Sequence, residues 1–388
     1  MPTTLLHAAA LAASAAAALR TAATRGAALL APPAAKAVAG GAALLGAALA
    51  AAPATPAACA AASDAVLRSV VRSPFTSRRV AGLYTVELPA PRADAPALVL
   101  LHGFGNGSAM YGLVLDLLAP HFRVFAVDAN GCGASERPAW PRGATTVAEA
   151  EAFFIDSLDT WRNVMGLRDT VLVGHSLGGY LAGAYALRHP MRVRHLVLAS
   201  PVGVPPPPPP EADPTTAWRE SSWAAGLLAR AWESGVTPQT LIKAAGAWGE
   251  PRVRAALGGR FGDLMSRSSR ARGLDREALS RYLYLINSND DSGERALSAL
   301  LAFGAMARDP LGPRLARAAA SAPFPPVTFI YGAVGRDWML RVSPGEDTAS
   351  ALRARGCRSE VLYLQAAGHN LQVESPEKFA EAIILRCA

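Results

Sequence analysis

Cysteine is scarce in this chain, and the copies present do not form a metal-binding pattern. The 388 residues include four cysteines, none of them spaced as CxxC: Cys59, Cys132, Cys357 and Cys387. Structural zinc sites need closely spaced cysteine or histidine pairs. The sequence therefore predicts free thiols, no zinc or other metal site, and no cofactor.

Clusters of basic residues mixed with aromatic residues are also missing. The chain has 38 lysines and arginines against 30 acidic residues, a formal charge of +8 at pH 7. Proteins that bind nucleic acid place basic residues in patches or along one face, often beside aromatic side chains. The charge is modest and no run of clustered basic residues is interleaved with aromatic residues, which predicts that nucleic acid is not a partner.

Acidic residues are absent from the first 63 positions, which are rich in alanine and contain three basic residues. This composition is typical of an organellar transit peptide, for a chloroplast or a mitochondrion. The uncharged run from Ala37 to Ser63 is long enough to span a membrane, although Pro53 and Pro56 weaken that possibility. We predict a targeting segment over residues 1–63, with a secretory signal and a membrane anchor as open alternatives.

A sharp strand-to-helix turn around Ser176 carries the main chemical signal. The apolar run Val171–Val173 leads into the pentapeptide GHSLG at 174–178, and a helical pattern follows. Such a nucleophile elbow holds a serine in a strained conformation with its hydroxyl exposed. Gly174 and Gly178 suit the turn, because the strand and helix backbones pass close together there. We therefore predict Ser176 as a nucleophile.

A serine hydroxyl needs a base that takes its proton. Three histidines follow Ser176, and two have ordinary structural explanations: His189 precedes a proline at a helix end, and His195 opens a strand. His369 follows the apolar run 361–364 and three small residues, where a loop at the end of a strand would present a base. We predict His369 as the base.

An acid must orient that base. Asp337 lies in the loop after the predicted strand Val327–Gly332 and is the preferred candidate. Glu346 and Asp347 follow a few residues later and stay open as alternatives. Asp128 ends an earlier strand and precedes the nucleophile, so it is predicted to be a structural hydrogen-bonding residue.

Charge that develops on a carbonyl oxygen during attack must meet preorganised N–H donors. The predicted strand Ala97–Leu101 runs into the loop HGFG at 102–105. In a nucleophile-elbow site, one donor is the N–H after the serine and the other lies in such a loop. We predict the backbone N–H groups of Leu177 and Phe104 as the oxyanion hole.

Strands alternate with helical segments along most of the chain, which indicates an α/β protein with a mostly parallel sheet covered by helices on both faces. The pattern breaks at Val204, because the six prolines Pro205–Pro210 cannot join a sheet. A helical stretch follows. We predict a core over residues 73–203 and 327–388, with a helical cap over 204–326.

The predicted cap is rich in arginine and tryptophan. Between Arg252 and Arg281, eight arginines accompany three acidic residues. The four tryptophans are Trp218, Trp223, Trp232 and Trp248. Guanidinium groups suit phosphate, and tryptophan suits a lipid interface. Two interpretations stay open: a cap that recruits anionic phospholipid, or a solvated arginine face with tryptophans that pack the cap onto the core.

Longer motifs within residues 73–388 make the chain resemble one branch of the α/β-hydrolases. The motifs are LLHGFGNG, FRVFAVDANGCGASERP, EAFFIDSLDTW, GHSLGGYLAGAYALRHP, FIYG…DWM and AAGHNLQVESPEKF. The branch contains the N-acyl-phosphatidylethanolamine lipase, the lipid-droplet lipase co-activator, the yeast cardiolipin deacylase and plant lysophosphatidic-acid-acyltransferase-like proteins, and the plant-type members look most similar. The resemblance implies an α/β-hydrolase fold with acyl-ester hydrolysis or transfer on phospholipids and lysophospholipids.

Two positions bear on the activity that this resemblance implies. The co-activator member has lost the serine, whereas Ser176 is present here and favours an enzyme. The HxxxxD acyltransferase pattern of the family begins at His369 but has Glu374 in the aspartate position, which disfavours the transferase.

We therefore expect a serine acyl-ester hydrolase that acts on a phospholipid or lysophospholipid and associates peripherally with an organellar membrane. The open alternatives are a lysophospholipid acyltransferase and a non-catalytic lipid-binding regulator of a lipase. A location in the secretory pathway is the alternative to an organelle.

Overall fold

A twisted sheet forms the centre of the molecule. The computed structural model describes residues 54–140, 145–209, 216, 223–265, 268–289, 292–333 and 337–388. Within them, the main sheet has eight strands in the order β1-β2-β4-β3-β5-β6-β9-β10, and β7 and β8 form a separate short hairpin. The strands are β1 (Thr76–Val80), β2 (Leu83–Leu88), β3 (Ala97–Leu101), β4 (Arg123–Val127), β5 (Thr170–His175), β6 (Val193–Ala199), β7 (Leu301–Ala302), β8 (Met306–Ala307), β9 (Val327–Gly332) and β10 (Ser359–Leu364).

Helices cover both faces of this sheet, and a hydrophobic cluster lies on each side. The described α-helices are α1 (Pro56–Val70), α2 (Gly112–Leu118), α3 (Val147–Val164), α4 (Leu177–Arg188), α5 (Trp223–Glu233), α6 (Pro238–Met265), α7 (Arg276–Ser288), α8 (Gly293–Leu300), α9 (Leu311–Ser321), α10 (Met339–Val342), α11 (Glu346–Arg353), α12 (Leu371–Glu374) and α13 (Pro376–Cys387). Short 3-10 turns occupy Ser108–Tyr111, Pro190–Arg192 and Ser269–Gly273. The predicted α/β class is confirmed.

Strands β3 to β6, β9 and β10 run parallel to one another, so their carboxyl ends meet at one edge. All six residues of β5 are buried, as expected of a strand covered on both faces. The antiparallel pair β1 and β2 forms one end of the sheet. Between these two strands, Ala81 and Gly82 both adopt positive φ, 47° and 84°, and turn the chain into a hairpin.

The fold begins at helix α1, upstream of the start predicted near Ser73. Thr55 caps the helix, and Cys59, Val66 and Leu67 are fully buried in the core. The helix packs against α2 and against α7 of the predicted cap. Residues 56–63, the end of the predicted targeting segment, are therefore part of the fold, because their apolar side chains fill a groove between core and cap. Residues 1–53 lie outside the described part.

The predicted cap segment is helical but ends earlier than expected. Helix α6 is kinked at Gly246, which has a φ of 51°. Helix α9 falls inside the predicted cap range, yet it packs on the core helices α4 and α11, with Leu311 and Leu315 fully buried. The chain therefore returns to the core by Leu311. Among the described residues, no helix combines the length and apolarity needed to cross a membrane.

A buried ion pair fastens the predicted cap to the loop after β4. Arg137 donates to the Glu294 carboxylate on α8 at 3.0 Å, and the two side chains are only 5% and 7% exposed. Burial raises the pKa of Glu294, although the nearby Arg137 guanidinium opposes the shift. The backbone N–H of Gly293 also donates to the carbonyl of Gly131. The loop and α8 are thus joined by charge and by backbone contact.

Candidate active site

The nucleophile elbow forms where β5 passes into α4. Ser176 stands between them with a φ of 55° and a ψ of −115°, a conformation that side chains rarely adopt. A Cβ atom on Gly174 would lie 2.1 Å from the carbonyl oxygen of Gly178, and one on Gly178 would lie 2.3 Å from that of Leu101. Both glycines are therefore required by close backbone approach, as the sequence predicted.

The structure brings the three predicted side chains together. Ser176 Oγ lies 3.2 Å from His369 Nε2, and His369 Nδ1 lies 3.3 Å from Asp337 Oδ1. Ser176 comes from the end of β5, Asp337 follows β9 and His369 follows β10. The parallel sheet explains the meeting, because all three strands end at the same edge. Nδ1–H can donate to the carboxylate, which leaves Nε2 free to accept the serine proton.

Asp337 is held as a buried carboxylate. It accepts hydrogen bonds from the backbone N–H groups of Gly332 and Met339, at 3.1 and 3.0 Å, and from the Ser200 hydroxyl. Burial alone would raise the pKa of Asp337, but the hydrogen bond and charge interaction with His369 and the other donors lower it below its ordinary value. The group is therefore ionised and able to orient His369.

The two alternative acids lie elsewhere. Glu346 accepts a hydrogen bond from the Tyr363 hydroxyl at the start of α11, and the neighbouring Asp347 is exposed. Asp128 accepts from the backbone N–H groups of Ser108 and Ala134, at 2.6 and 2.8 Å. The structural role predicted for Asp128 is therefore confirmed, and Asp337 is the acid that contacts His369.

The other two late histidines also have structural surroundings. The His195 ring hydrogen-bonds the Thr328 hydroxyl at 2.9 Å, and burial lowers its pKa to about 4. The His189 ring packs against Tyr185, with ring centroids 5.0 Å apart. Neither ring replaces His369 beside the serine.

Glu374 holds the loop that carries His369. Its carboxylate accepts from the backbone N–H groups of Gly368 and Asn370, at 2.9 and 3.0 Å, on either side of the histidine. The Trp338 ring packs beside the His369 ring, with centroids 5.1 Å apart. The glutamate in the family's aspartate position thus fixes the backbone around the base.

The predicted oxyanion loop lies against the serine. A Cβ atom on Gly103 would lie 3.1 Å from Ser176 Cβ, so the loop and the serine are in close contact. His102 Nε2 accepts from the N–H of Ala129 at 3.1 Å, and Nδ1 therefore donates to the carbonyl of Gly103 at 2.8 Å. Phe104 follows in this loop. The loop therefore lies beside the serine, and the oxyanion role of the Phe104 N–H stays a prediction.

Leu177, the other predicted donor, begins helix α4. The first N–H groups of a helix have no partner within it and point outward, where they favour negative charge. The ring of Phe104 meets the ring of Trp232 edge-on, with centroids 6.4 Å apart, and the Trp232 indole donates to the Leu301 carbonyl. Trp232 therefore packs the cap onto the site.

The other three tryptophans of the predicted cap differ from Trp232 in their surroundings. Trp223 is 77% exposed on α5. Trp218 and the side chain of Trp248 lie outside the described part.

Sequence reasoning missed His175, the residue before the serine. Its Nε2 lies 2.8 Å from the backbone carbonyl oxygen of His369 and donates to it, and its Nδ1 faces Gly103. Burial, reinforced by the nearby His369, lowers the pKa of His175 to about 3, so the ring is neutral. One buried ring therefore touches both the loop of the base and the oxyanion loop. Its position at the end of a fully buried strand was the available signal.

The described residues contain no group of three histidine, cysteine or acidic side chains placed to hold a metal ion. All four cysteines are buried free thiols. Burial raises the pKa of Cys59 to about 11 and that of Cys387 to about 12. Neither thiol is therefore activated as a nucleophile.

Comparisons with known proteins agree with this geometry. The model of the α/β hydrolase fold family matches residues 96–376. The chain therefore belongs to the α/β hydrolase fold family.

Its relatives include proteins of lipid metabolism. The chain is 35% identical over 318 residues to a 1-acylglycerol-3-phosphate O-acyltransferase of Arabidopsis thaliana, covering 80% of this chain and 71% of the relative. It is 31% identical over 302 residues to the (lyso)-N-acylphosphatidylethanolamine lipase of Homo sapiens, covering 76% of this chain and 80% of the relative. These relatives confirm the branch that the sequence motifs resemble.

Solved structures show the same fold. A bacterial membrane phospholipase A superposes with a TM-score of 0.54 at 24% identity, over 86% of this chain and 93% of that one. The carboxylesterase CesB of Bacillus subtilis superposes with a TM-score of 0.53 at 19% identity, over 86% and 99%. At these identities the likeness concerns the fold alone.

Proposed function

We propose that this protein is a serine hydrolase that cleaves acyl esters of membrane glycerophospholipids or lysophospholipids through an acyl-enzyme on Ser176. The observation that carries the proposal is the hydrogen-bonded series from Ser176 through His369 to Asp337, with spacings of 3.2 and 3.3 Å. The substrate class rests on the names of the curated relatives, which act on lysophosphatidic acid and on N-acylphosphatidylethanolamine.

In the first half of the reaction, His369 Nε2 takes the proton of Ser176 as the oxygen attacks the ester carbonyl. Asp337 holds the imidazole in the required tautomer and stabilises the imidazolium that forms. The backbone N–H groups of Phe104 and Leu177 would receive the negative oxygen. His369 then protonates the departing alcohol, and the acyl group remains on Ser176.

In the second half, His369 takes a proton from water as the water oxygen attacks the acyl carbonyl. The bond to Ser176 then breaks, the fatty acid departs, and His369 returns the proton to Ser176. An alcohol in place of water would give acyl transfer. The plant relative named as an acyltransferase favours this second candidate. The hydrolase and the acyltransferase differ only in whether water or an alcohol attacks the acyl-enzyme.

Covalent labelling tests whether Ser176 reacts. A fluorophosphonate probe should label the wild-type protein and fail to label Ser176→Ala, which should melt at the same temperature. Absence of labelling in folded wild-type protein would favour the third candidate, a non-catalytic lipid-binding regulator. Product analysis with and without added lysophospholipid separates the two enzymes, since only a transferase forms the diacyl product.

We also propose that residues upstream of Thr55 direct the protein to a chloroplast or mitochondrion, where it associates peripherally with a membrane. The alanine-rich, acid-free composition supports this proposal. Mass spectrometry of the protein from its own cells should find an N-terminus between Lys36 and Thr55. Intact residues 1–36 would contradict the proposal.

A further inference from the structure

The arginines of the cap have different surroundings in the structure. Arg254 pairs with Glu250 and Glu277. Arg276 lies 3.8 Å from Asp263. The position of Arg267 and the side chain of Arg260 lie outside the described part. An anion-binding role spread evenly over the cap is therefore unsupported, because acidic side chains already neutralise part of the cluster.

Three arginines instead converge on one groove at the junction of core and cap. The groove has a volume of about 450 Å³ and is open to solvent. Its charged lining consists of Arg72 after helix α1, Arg270 and Arg272 from the 3-10 turn Ser269–Gly273, and Asp116 on α2. Arg72 and Arg272 have no ion-pair partner within the part of the chain that the structure describes. The groove thus combines two unpaired guanidinium groups with a third that is anchored.

The single acidic residue of the lining is already occupied. Asp116 accepts from the backbone N–H groups of Arg72 and Ser73, at 2.9 and 2.8 Å. It also lies 3.8 Å from the Arg270 guanidinium, whose Nε–H donates to the Leu113 carbonyl at 3.0 Å. Asp116 therefore shapes the groove and fixes Arg270, while the remaining charge of the groove is positive.

A glycine lets the two sides of the groove meet. A Cβ atom on Gly273 would lie 3.0 Å from Arg72 Nη2 and 2.6 Å from the backbone oxygen of Ser69. The absence of a side chain thus brings the guanidinium of the core beside the turn of the cap. Arg72 and Arg272, far apart in sequence, are presented to the same space.

We propose that this groove binds a phosphate oxyanion. Planar guanidinium groups donate two parallel hydrogen bonds to phosphate oxygens, and a phosphate between Arg72 and Arg272 would neutralise both. The bound anion would also join α1 to the cap turn. A free phosphate and a phospholipid head group both offer this chemistry. The groove shares no lining residue with the site around Ser176.

The first experiment measures binding of inorganic phosphate by calorimetry in phosphate-free and sulfate-free buffer. The Ser176→Ala variant is used, because the experiment measures binding and needs no turnover. Arg72→Gln with Arg272→Gln should weaken binding roughly tenfold or more, as expected for two lost charge-assisted contacts. The matched control, Arg192→Gln with Arg281→Gln, removes the same charge from exposed positions outside the groove and should bind as before.

A second pair of variants checks the geometry. Arg72→Lys with Arg272→Lys keeps the charge but removes the planar fork, so affinity should fall between the wild-type and glutamine values. Undetectable phosphate binding by the Ser176→Ala protein with its groove intact, or equal weakening in the groove and control variants, would overturn the proposal. Circular dichroism melts confirm that each variant is folded.

Vesicles distinguish the two sources of phosphate. Phosphatidylcholine vesicles are doped with phosphatidic acid or phosphatidylglycerol to equal surface charge. If a lipid head group occupies the groove, the wild-type protein prefers phosphatidic acid, and the glutamine pair loses that preference. If the ligand is soluble phosphate, calorimetry detects binding while the vesicle preference is the same for both proteins. Because labelling of Ser176 is a separate measurement, failure of the hydrolase proposal would leave these results intact.

Discussion

At the scale of single residues, His369 is held from three sides. Asp337 faces its Nδ1, the His175 ring donates to its carbonyl oxygen, and Glu374 accepts from the N–H groups on either side. In the proposed reaction, a base fixed in this way needs little reorganisation when it takes the proton of Ser176. Preorganisation of this kind is a main source of catalytic rate.

Replacing the acid should abolish most activity without unfolding the protein. In Asp337→Asn, the amide can donate to Nδ1, which moves the histidine proton to Nε2 and removes the base. We expect the ester hydrolysis rate to fall about 10³- to 10⁴-fold, as in other triads. The matched variants Glu346→Gln and Asp347→Asn should keep near-normal rates in the same assay. Near-normal turnover of Asp337→Asn would reject this assignment.

His175 should make the protein sensitive to acid. Its pKa is lowered to about 3 in the folded state, from an ordinary value near 6.5, so the unfolded chain binds the proton first. Its contribution to stability is complete above pH 6.5 and is lost as the pH falls toward 3. Denaturant titrations at several pH values should therefore show that His175→Gln lacks part of the acid destabilisation of the wild type, up to about 1.4 kcal/mol per pH unit.

Glutamine is chosen because its amide can still donate toward the His369 carbonyl. The variant His121→Gln, a partly buried histidine away from the site, serves as the control and should follow the wild-type pH dependence. Identical slopes for His175→Gln and the wild type would show that the ring does not carry this effect.

The sequence was sufficient to predict that Ser176, His369 and Asp337 meet, because an elbow motif and the ends of parallel strands bring such residues together. His175 could not be found in this way. Its partner is the carbonyl of a residue 194 positions away, and no local pattern encodes that contact. The residues that bury the His175 ring could not be predicted from the pentapeptide GHSLG either.

At the scale of elements, helix α1 is part of the core. Val66 and Leu67 are fully buried, and each buried aliphatic side chain contributes about 1.5 to 3 kcal/mol. A chain beginning at Ser73 should therefore lose several kcal/mol of stability relative to one beginning at Thr55, which keeps the helix and its cap. Urea denaturation measures the difference. Equal midpoints would show that α1 contributes little.

Some elements were predictable from local chemistry and others were not. The capping box at Thr146 and Glu149, which starts α3, has a recognisable sequence pattern and is present in full. Helix α1 was missed because its alanine-rich residues continue the composition of the segment before it. Tertiary contacts with α2 and α7 distinguish it, and the Thr55 cap followed by Pro56 was the local signal available.

At the scale of the whole molecule, the buried pair of Arg137 and Glu294 holds the cap on the core. Arg137→Ala would leave a carboxylate buried without its partner, which typically costs about 3 to 5 kcal/mol. We expect this variant to be strongly destabilised in thermal unfolding. The double variant Arg137→Met with Glu294→Leu should recover most of the loss, because no charge then remains buried. Equal stability of the single and double variants would contradict this account.

The catalytic groups also meet only when the sheet is complete. Ser176 and His369 are separated by 193 positions, and His369 follows β10, the last strand to leave the ribosome and the end of the sheet. A nascent or unfolded chain thus carries Ser176 without its base. On the proposed function, ester cleavage therefore begins only when β10 closes the sheet, so the order of the strands along the chain also sets the moment at which the serine can react.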